Sequence, residues 1–90
     1  MYTVTKRNGK IVDFDLSKIR NAVEKAFVAT DTNYTNDILD LLALRITADS
    51  QKKIVDGSVH VEDIQDSAEK VLEQAGYTDV AKAYILYRKQ

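Results

Sequence analysis

The sequence predicts an α+β fold in which a small β-hairpin, or a three-stranded sheet, covers about four helices. Two runs rich in β-branched and aromatic residues flank the dipeptide Asn8-Gly9, which is typical of a hairpin turn. Four later segments repeat apolar residues at helical spacing, and the chain contains no proline. Since 90 residues suffice for one hydrophobic core, we expect a single domain over residues 1–90.

The predicted hairpin joins residues 2–7 to residues 10–14. An Asn-Gly dipeptide favours a two-residue type I′ turn, in which both central residues have positive φ. The expected cross-strand pairs are Arg7 with Lys10, Lys6 with Ile11, and Thr5 with Val12. Residues 58–60 are short and extended in character and could add a third strand. Because an isolated hairpin is only marginally stable, we expect this one to pack on the helices.

Capping residues divide the rest of the chain into helices. Asp15 is a suitable N-cap for the first helix, and a second helix is predicted over residues 37–53. Gly76 ends the third helix as a C′ glycine, and the fourth begins near Thr78. The residues expected to face the core are Leu16, Ile19, Val23, Ala26 and Phe27, then Ile38, Leu39, Leu41, Leu42 and Ile46, then Val61, Ile64, Ala68, Val71, Leu72 and Ala75, and finally Val80, Ala81, Tyr84 and Ile85.

Composition argues against most kinds of enzyme. The chain has no cysteine and one histidine, His60, so disulfides, thiolate zinc sites and multi-histidine metal sites are excluded. A Ser-His-Asp triad would have to include His60, which as a lone histidine is more typical of a surface position. No apolar stretch approaches the roughly 20 residues of a membrane-spanning helix, and the start of the chain lacks an apolar signal region. We therefore expect a cytoplasmic binding or regulatory module without catalysis of its own.

The charges are segregated along the chain although the net charge is only −1. Residues 1–25 carry an excess of three positive charges, residues 26–81 an excess of seven negative charges, and residues 82–90 another three positive charges. If the two ends meet, they form one cationic site on a weakly acidic body. Such a site suits a compact anion better than a DNA duplex, whose backbone would also pass the acidic faces. A chance clustering of charges is the alternative.

Any bound phosphate would have to be held by side chains and a helix N-terminus. The three glycines belong to neither of the glycine-rich phosphate loops, G-x-x-x-x-G-K-[ST] and G-x-G-x-x-G. Lys6 and Arg7 precede the predicted turn, and Lys18 lies in the first turn of a helix, where a cation is mildly unfavourable. Lys18 is thus either a solvated surface charge or a residue placed there for a ligand.

Three blocks of the sequence together resemble the ATP-cone, the allosteric nucleotide-binding domain of ribonucleotide reductases. They are VTKRNGKIVDFDLSKI at residues 4–19, VEDIQD at residues 61–66 and GYTDVAKAYILYRK at residues 76–89. The resemblance covers essentially the whole chain and implies a small sheet capping a four-helix bundle. It also implies a domain that binds ATP or dATP, with Mg²⁺, and thereby switches the activity of a reductase, often by changing its oligomeric state.

The resemblance also implies which residues contact the nucleotide. They are Val4, Lys6, Arg7, Asp15, Lys18, Ile19, His60, Val61, Gln65 and Lys89. The Val-x-Lys-Arg block at residues 4–7 would contact the base and the phosphates. In the first turn of the first helix, Lys18 would bind phosphate and Ile19 would contact the adenine. Asp15 would reach the base edge as well as cap the helix. Residues at the entry to the third helix would flank the sugar and phosphates, and Lys89 would close the phosphate site.

The sequence departs from the family pattern at two positions. Several relatives have an acid where Val12 stands and a threonine where Val61 stands, so two polar contacts are missing here. A second hypothesis follows, in which the chain is a protein-interaction or oligomerisation domain that has lost nucleotide binding. The expected partners are an adenine nucleotide, the catalytic part of a reductase and a second copy of the domain, with no DNA and no membrane. The overall similarity of the blocks favours the anaerobic, triphosphate-using reductase class.

Overall fold

The computed structural model describes residues 2–88 and contains four helices and a three-stranded sheet, which confirms the predicted α+β class. The elements in chain order are β1 (Thr3–Thr5), β2 (Ile11–Asp13), α1 (Leu16–Ala29), α2 (Asn36–Gln51), β3 (Ser58–His60), α3 (Val61–Gln74) and α4 (Thr78–Arg88). No helix in this part of the chain combines the length and apolarity needed to cross a bilayer.

The strand nearest the N-terminus lies in the middle of the sheet. The strand order is β2-β1-β3, with β1 antiparallel to β2 and parallel to β3. The third strand suggested by the sequence is therefore present. Val4 pairs with Val12 on one side and with Val59 on the other. These three apolar side chains share one face of the sheet, since residues paired directly across neighbouring strands point to the same side.

The predicted hairpin register is wrong by one residue. Lys6 donates its backbone N–H to the carbonyl of Lys10 at 2.8 Å, so the turn contains three residues, numbers 7–9, and not two. Gly9 has φ +84°, while Asn8 is not among the residues with positive φ. The side-chain oxygen of Asn8 instead accepts a hydrogen bond from the N–H of Lys10 at 3.0 Å. A three-residue turn closed by a left-handed glycine therefore replaces the type I′ turn.

The four helices form a closed ring of contacts, since α1 packs on α2 and α4, and α3 packs on the same two helices. The sheet covers the end at which α1 and α3 begin, because β2 leads into α1 through two residues and β3 leads directly into α3. One core cluster contains buried residues from both β1 and β3 and from all four helices. Its largest fully buried side chains are Phe27, Leu39, Ile46 and Leu72.

The caps of the helices follow the sequence prediction closely. Asp15 caps α1 by accepting the N–H of Ser17 at 3.0 Å, and Gly76 follows α3 with φ +90°. The second helix begins one residue earlier than expected, because the hydroxyl of Thr35 caps it, and it ends two residues earlier. Three predicted core residues are wrong: Leu16 is 36% exposed, Leu41 is 57% exposed, and Ile85 is only half-buried and does not belong to the core cluster.

A charged cluster ties α2 to α3. The carboxylate of Asp49 accepts a hydrogen bond from the ammonium group of Lys70 at 3.1 Å. It also lies 3.6 Å from the ammonium group of Lys52. The hydroxyl of Ser67 and the ammonium of Lys70 favour the ionised carboxylate and lower the pKa of Asp49 below its ordinary value of 3.8. Only 11% of the Asp49 side chain is exposed, whereas the side chains of Lys70 and Lys52 are 54% and 75% exposed, so the carboxylate is shielded and its two cationic partners lie in solvent.

We expect Asp49 to stabilise the fold at neutral pH and to lose this contribution in acid. A carboxylate whose pKa is lower in the folded than in the unfolded chain stabilises the fold above the unfolded value, and the contribution fades as pH falls from about 5 through the folded value. Asp49→Asn should therefore lower the thermal midpoint at pH 7, and the difference from the unchanged chain should shrink towards pH 3. Asp37→Asn, which alters an exposed carboxylate in the first turn of the same helix, is the control and should have a smaller effect, because that carboxylate gains only from the helix dipole. A difference independent of pH would contradict the expectation.

Candidate functional site

A cleft of about 220 Å³ lies between the sheet and the ends of the helices beneath it. Strands β1 and β2 supply one wall, the first turns of α1 and α3 supply the others, and α4 contributes one residue. The lining residues are Val4, Lys6, Val12, Asp13, Phe14, Asp15, Lys18, Ile19, Ala22, Val61, Ile64, Gln65 and Tyr84. Elements from both ends of the chain thus converge on one cavity.

Most of the cleft wall is apolar. Val4, Ile19 and Ile64 are buried core residues with at most 8% exposure, and Val12 and Val61 are half-buried beside them. The aromatic ring of Tyr84, 5% exposed, completes this wall from α4. An apolar wall of this kind offers a flat, uncharged group a place to be shielded from water.

Two lysines line the same cleft from different elements. Lys6 follows β1, Lys18 lies in the first turn of α1, and both side chains are exposed. The cleft also receives the N-terminal turns of α1 and α3, whose backbone N–H groups carry partial positive charge. Cationic side chains and helix N-termini together form an environment in which an anion is stabilised. Two carboxylates, Asp13 and Asp15, lie on the wall as well.

Asp15 caps the N-terminus of α1. Its carboxylate accepts hydrogen bonds from the backbone N–H and the hydroxyl of Ser17, at 3.0 and 2.6 Å. The hydroxyl contact, followed by the backbone contact, lowers the pKa of Asp15 below its ordinary value. The residue therefore stays ionised near neutral pH and faces the cleft as an acceptor of hydrogen bonds.

The residues that the resemblance assigns to the nucleotide fall into four groups. Seven line the cleft: Val4, Lys6, Asp15, Lys18, Ile19, Val61 and Gln65. Arg7 lies at its edge and donates a hydrogen bond from Nη2 to Oε1 of Gln65 at 2.9 Å. His60 is exposed at the end of β3, pairs with Thr5 in the sheet, and is not part of the cleft wall. Lys89 lies outside the described residues.

Sequence reasoning missed several wall residues, although a pattern for some of them was available. Val12 and Phe14 alternate along and beyond β2, which places them on the face of the sheet that Val4 shares. Ala22 follows Ile19 by three residues on the same side of α1. Nothing local indicated that Tyr84, expected in the core, would also face the cleft.

Comparison with known proteins identifies the family. The family model described as the ATP cone domain matches residues 2–90. This chain belongs to the ATP cone domain family. The match covers the three sequence blocks and every element that encloses the cleft, so the resemblance noted from the sequence is confirmed.

Three similar curated proteins are much longer than this ATP cone domain. It is 40% identical over 92 residues to the ribonucleoside-diphosphate reductase subunit alpha of Chlamydia pneumoniae, which matches 96% of this chain and 9% of the reductase. The vitamin B12-dependent ribonucleoside-diphosphate reductases of Mycobacterium tuberculosis and Thermoplasma acidophilum are 36% and 37% identical to it, and each is matched over 12% of its length. The chain thus spans about a tenth of these relatives, and the anaerobic class favoured by the sequence remains an untested prediction.

Proposed function

We propose that this ATP cone domain binds ATP or dATP in the cleft and regulates a ribonucleotide reductase without catalysing a reaction itself. The observation that carries the proposal is the pairing of one apolar wall with two lysines in a single cavity. In this arrangement the adenine ring lies against the wall beside Ile19, and the polyphosphate lies towards Lys6 and Lys18. Family membership supports the same assignment.

The polyphosphate would be neutralised by several groups acting together. Lys6 and Lys18 supply charge from two elements, Arg7 supplies it from the hairpin turn, and Lys89 is proposed to approach from the C-terminal end. Because these few cations do not fully balance a triphosphate, we expect Mg²⁺ to accompany the nucleotide. No group of three or more histidine, cysteine or acidic side chains arranged to hold a metal ion occurs within residues 2–88. The phosphates themselves would therefore provide most of the ligands of the metal.

Calorimetric titration with ATP, dATP and GTP tests this function directly. We expect micromolar binding of the adenine nucleotides, on the order of −8 kcal/mol, and weaker binding of GTP. The reason for the preference is that an apolar wall and fixed hydrogen-bond acceptors reject a base whose edge carries different donors and acceptors. Absence of heat with all three nucleotides, or equal affinity for GTP, would contradict the proposal.

A second candidate function has an observation of its own in its favour. Leu41 and Leu44 are 57% and 56% exposed on the outer side of α2, and they are neighbours at i and i+3. A protein-interaction or oligomerisation domain that no longer binds nucleotide would use such a face, and it would lack the polar contacts absent at Val12 and Val61. It would form dimers or larger species, detected by light scattering, that do not respond to added ATP.

The partners follow from the first proposal. A regulatory domain changes the activity of a partner, and the partner we propose is the catalytic part of a reductase in the cytoplasm. Binding of ATP or dATP would change the contacts that the domain makes with that part or with a second copy of itself. Such a change can only be as large as the difference in nucleotide affinity between the two states.

A further inference from the structure

A hydrogen bond joins the tip of the hairpin to α3 at the edge of the cleft. The guanidinium of Arg7 donates from Nη2 to the side-chain carbonyl oxygen of Gln65 at 2.9 Å. Arg7 is an exposed residue of the turn, and Gln65 is a half-buried residue of the cleft wall. The two residues are 58 positions apart in sequence, so the contact exists only in the folded chain.

The contact lies just beyond the end of the backbone ladder between β1 and β3. The backbone ladder between β1 and β3 ends with the pair Thr5 and His60. Beyond that pair, the backbone N–H of Lys6 bonds within the hairpin, to Lys10. The bond from Arg7 to Gln65 thus extends the contact between hairpin and helix past the end of the backbone ladder. It fixes the turn against the first turns of α3.

We infer that Gln65 is a positioning residue, which holds the guanidinium of Arg7 at the mouth of the cleft in the orientation needed for phosphate. This inference rests on the proposed function and deepens it by giving Gln65 a role exerted through Arg7. An exposed arginine on a turn samples many rotamers, and a ligand that binds it must order them. A bond already present before binding removes part of that cost. The acceptor is a neutral amide, so the bond itself brings no negative charge to the cleft.

A double-mutant cycle tests the inference. Gln65→Met keeps the length and approximate volume of the side chain and removes the oxygen that accepts the bond. We expect it to weaken ATP binding about fivefold to tenfold in the chain that carries Arg7, in line with loss of one typical side-chain hydrogen bond at an exposed position. In the Arg7→Ala background the same substitution should cost less than about twofold, since no guanidinium remains to be positioned.

A readout without nucleotide separates this inference from the proposed function. In the nucleotide-free chain, the side-chain Nε–H signal of Arg7 should shift in the NMR spectrum of Gln65→Met, and its order parameter should fall. Lys82→Ala alters an exposed lysine outside the cleft wall and serves as the matched control for both measurements. Thermal unfolding of each variant confirms that the chain is folded.

The outcomes are distinct. If the unchanged chain binds no adenine nucleotide, both proposals fail. If it binds ATP and Gln65→Met costs nothing, the positioning role alone is wrong. An equal cost of Gln65→Met with and without Arg7 would also overturn it, because Gln65 would then act on the nucleotide directly.

Discussion

Replacing Phe27 by alanine is expected to remove about 3–5 kcal/mol from the free energy of unfolding. The ring is fully buried in the core and lies between two aromatic neighbours, with its centroid 5.7 Å from that of Tyr34 and 4.9 Å from that of Tyr77. Alanine would leave a cavity beside α1 and would remove both ring contacts. Because small domains have a total stability of roughly 5–15 kcal/mol, the variant should be close to unfolding.

The adjacent residue supplies the control for this experiment. Val28 is 63% exposed on the same helix, so Val28→Ala should change stability by no more than about 0.5 kcal/mol. Urea titration of both variants measures the difference, and an unchanged slope with denaturant would show that the unfolded states are comparable. If Phe27→Ala proved no more costly than Val28→Ala, the core described above would be wrong.

Removing either cleft lysine is expected to weaken ATP binding strongly while leaving the fold intact. Lys6→Ala and Lys18→Ala should each cost about 1.5–3 kcal/mol, the range for a charge-assisted hydrogen bond, which corresponds to roughly tenfold to more than a hundredfold in affinity. Both side chains are exposed, so their loss leaves no cavity in the core. The affinity of the unchanged chain should also fall with added salt, and the two variants should be less sensitive to it.

Calorimetry at two salt concentrations measures both effects. Lys82→Ala is again the matched control, since it removes one exposed lysine outside the cleft wall. Equal losses in all three variants would mean that only net charge matters and that the cleft does not hold the polyphosphate. The same loss is predicted for Lys89→Ala on the basis of the family resemblance.

Most of the fold could be predicted from the sequence because its signals are local. The cap at Asp15 and the glycine at position 76 fix helix ends through contacts within a few residues. The hairpin register was predicted wrongly because the dipeptide Asn-Gly is compatible with more than one type of turn. The type of turn depends on which residue adopts positive φ, and the dipeptide alone does not decide this. Leu41 was wrongly assigned to the core because α2 has apolar residues on nearly every side. The periodicity of this helix therefore does not define a single buried face.

The cleft depends on long-range contacts that no local pattern reveals. The segregated charges indicated that the two ends of the chain meet, but the described residues bring together Lys6 and Lys18, both from the first end. Assignment of Val61 and Gln65 came from the family resemblance, and both line the cavity. Tyr84, which completes its wall from α4, could be recognised as a cleft residue only from the packed helices.

The central place of β1 in the sheet has a consequence for the order of folding. Strand β1 precedes the other elements in the chain, but one of its two partner strands lies 55 residues later. Closing a loop of that length carries an entropic cost that the helices between can lower by assembling first. We therefore expect the second edge of β1 to dock late in the folding reaction. Release of β1 from β3 would then be the first step of unfolding. An effector bound in the cleft would oppose that release and so would slow unfolding.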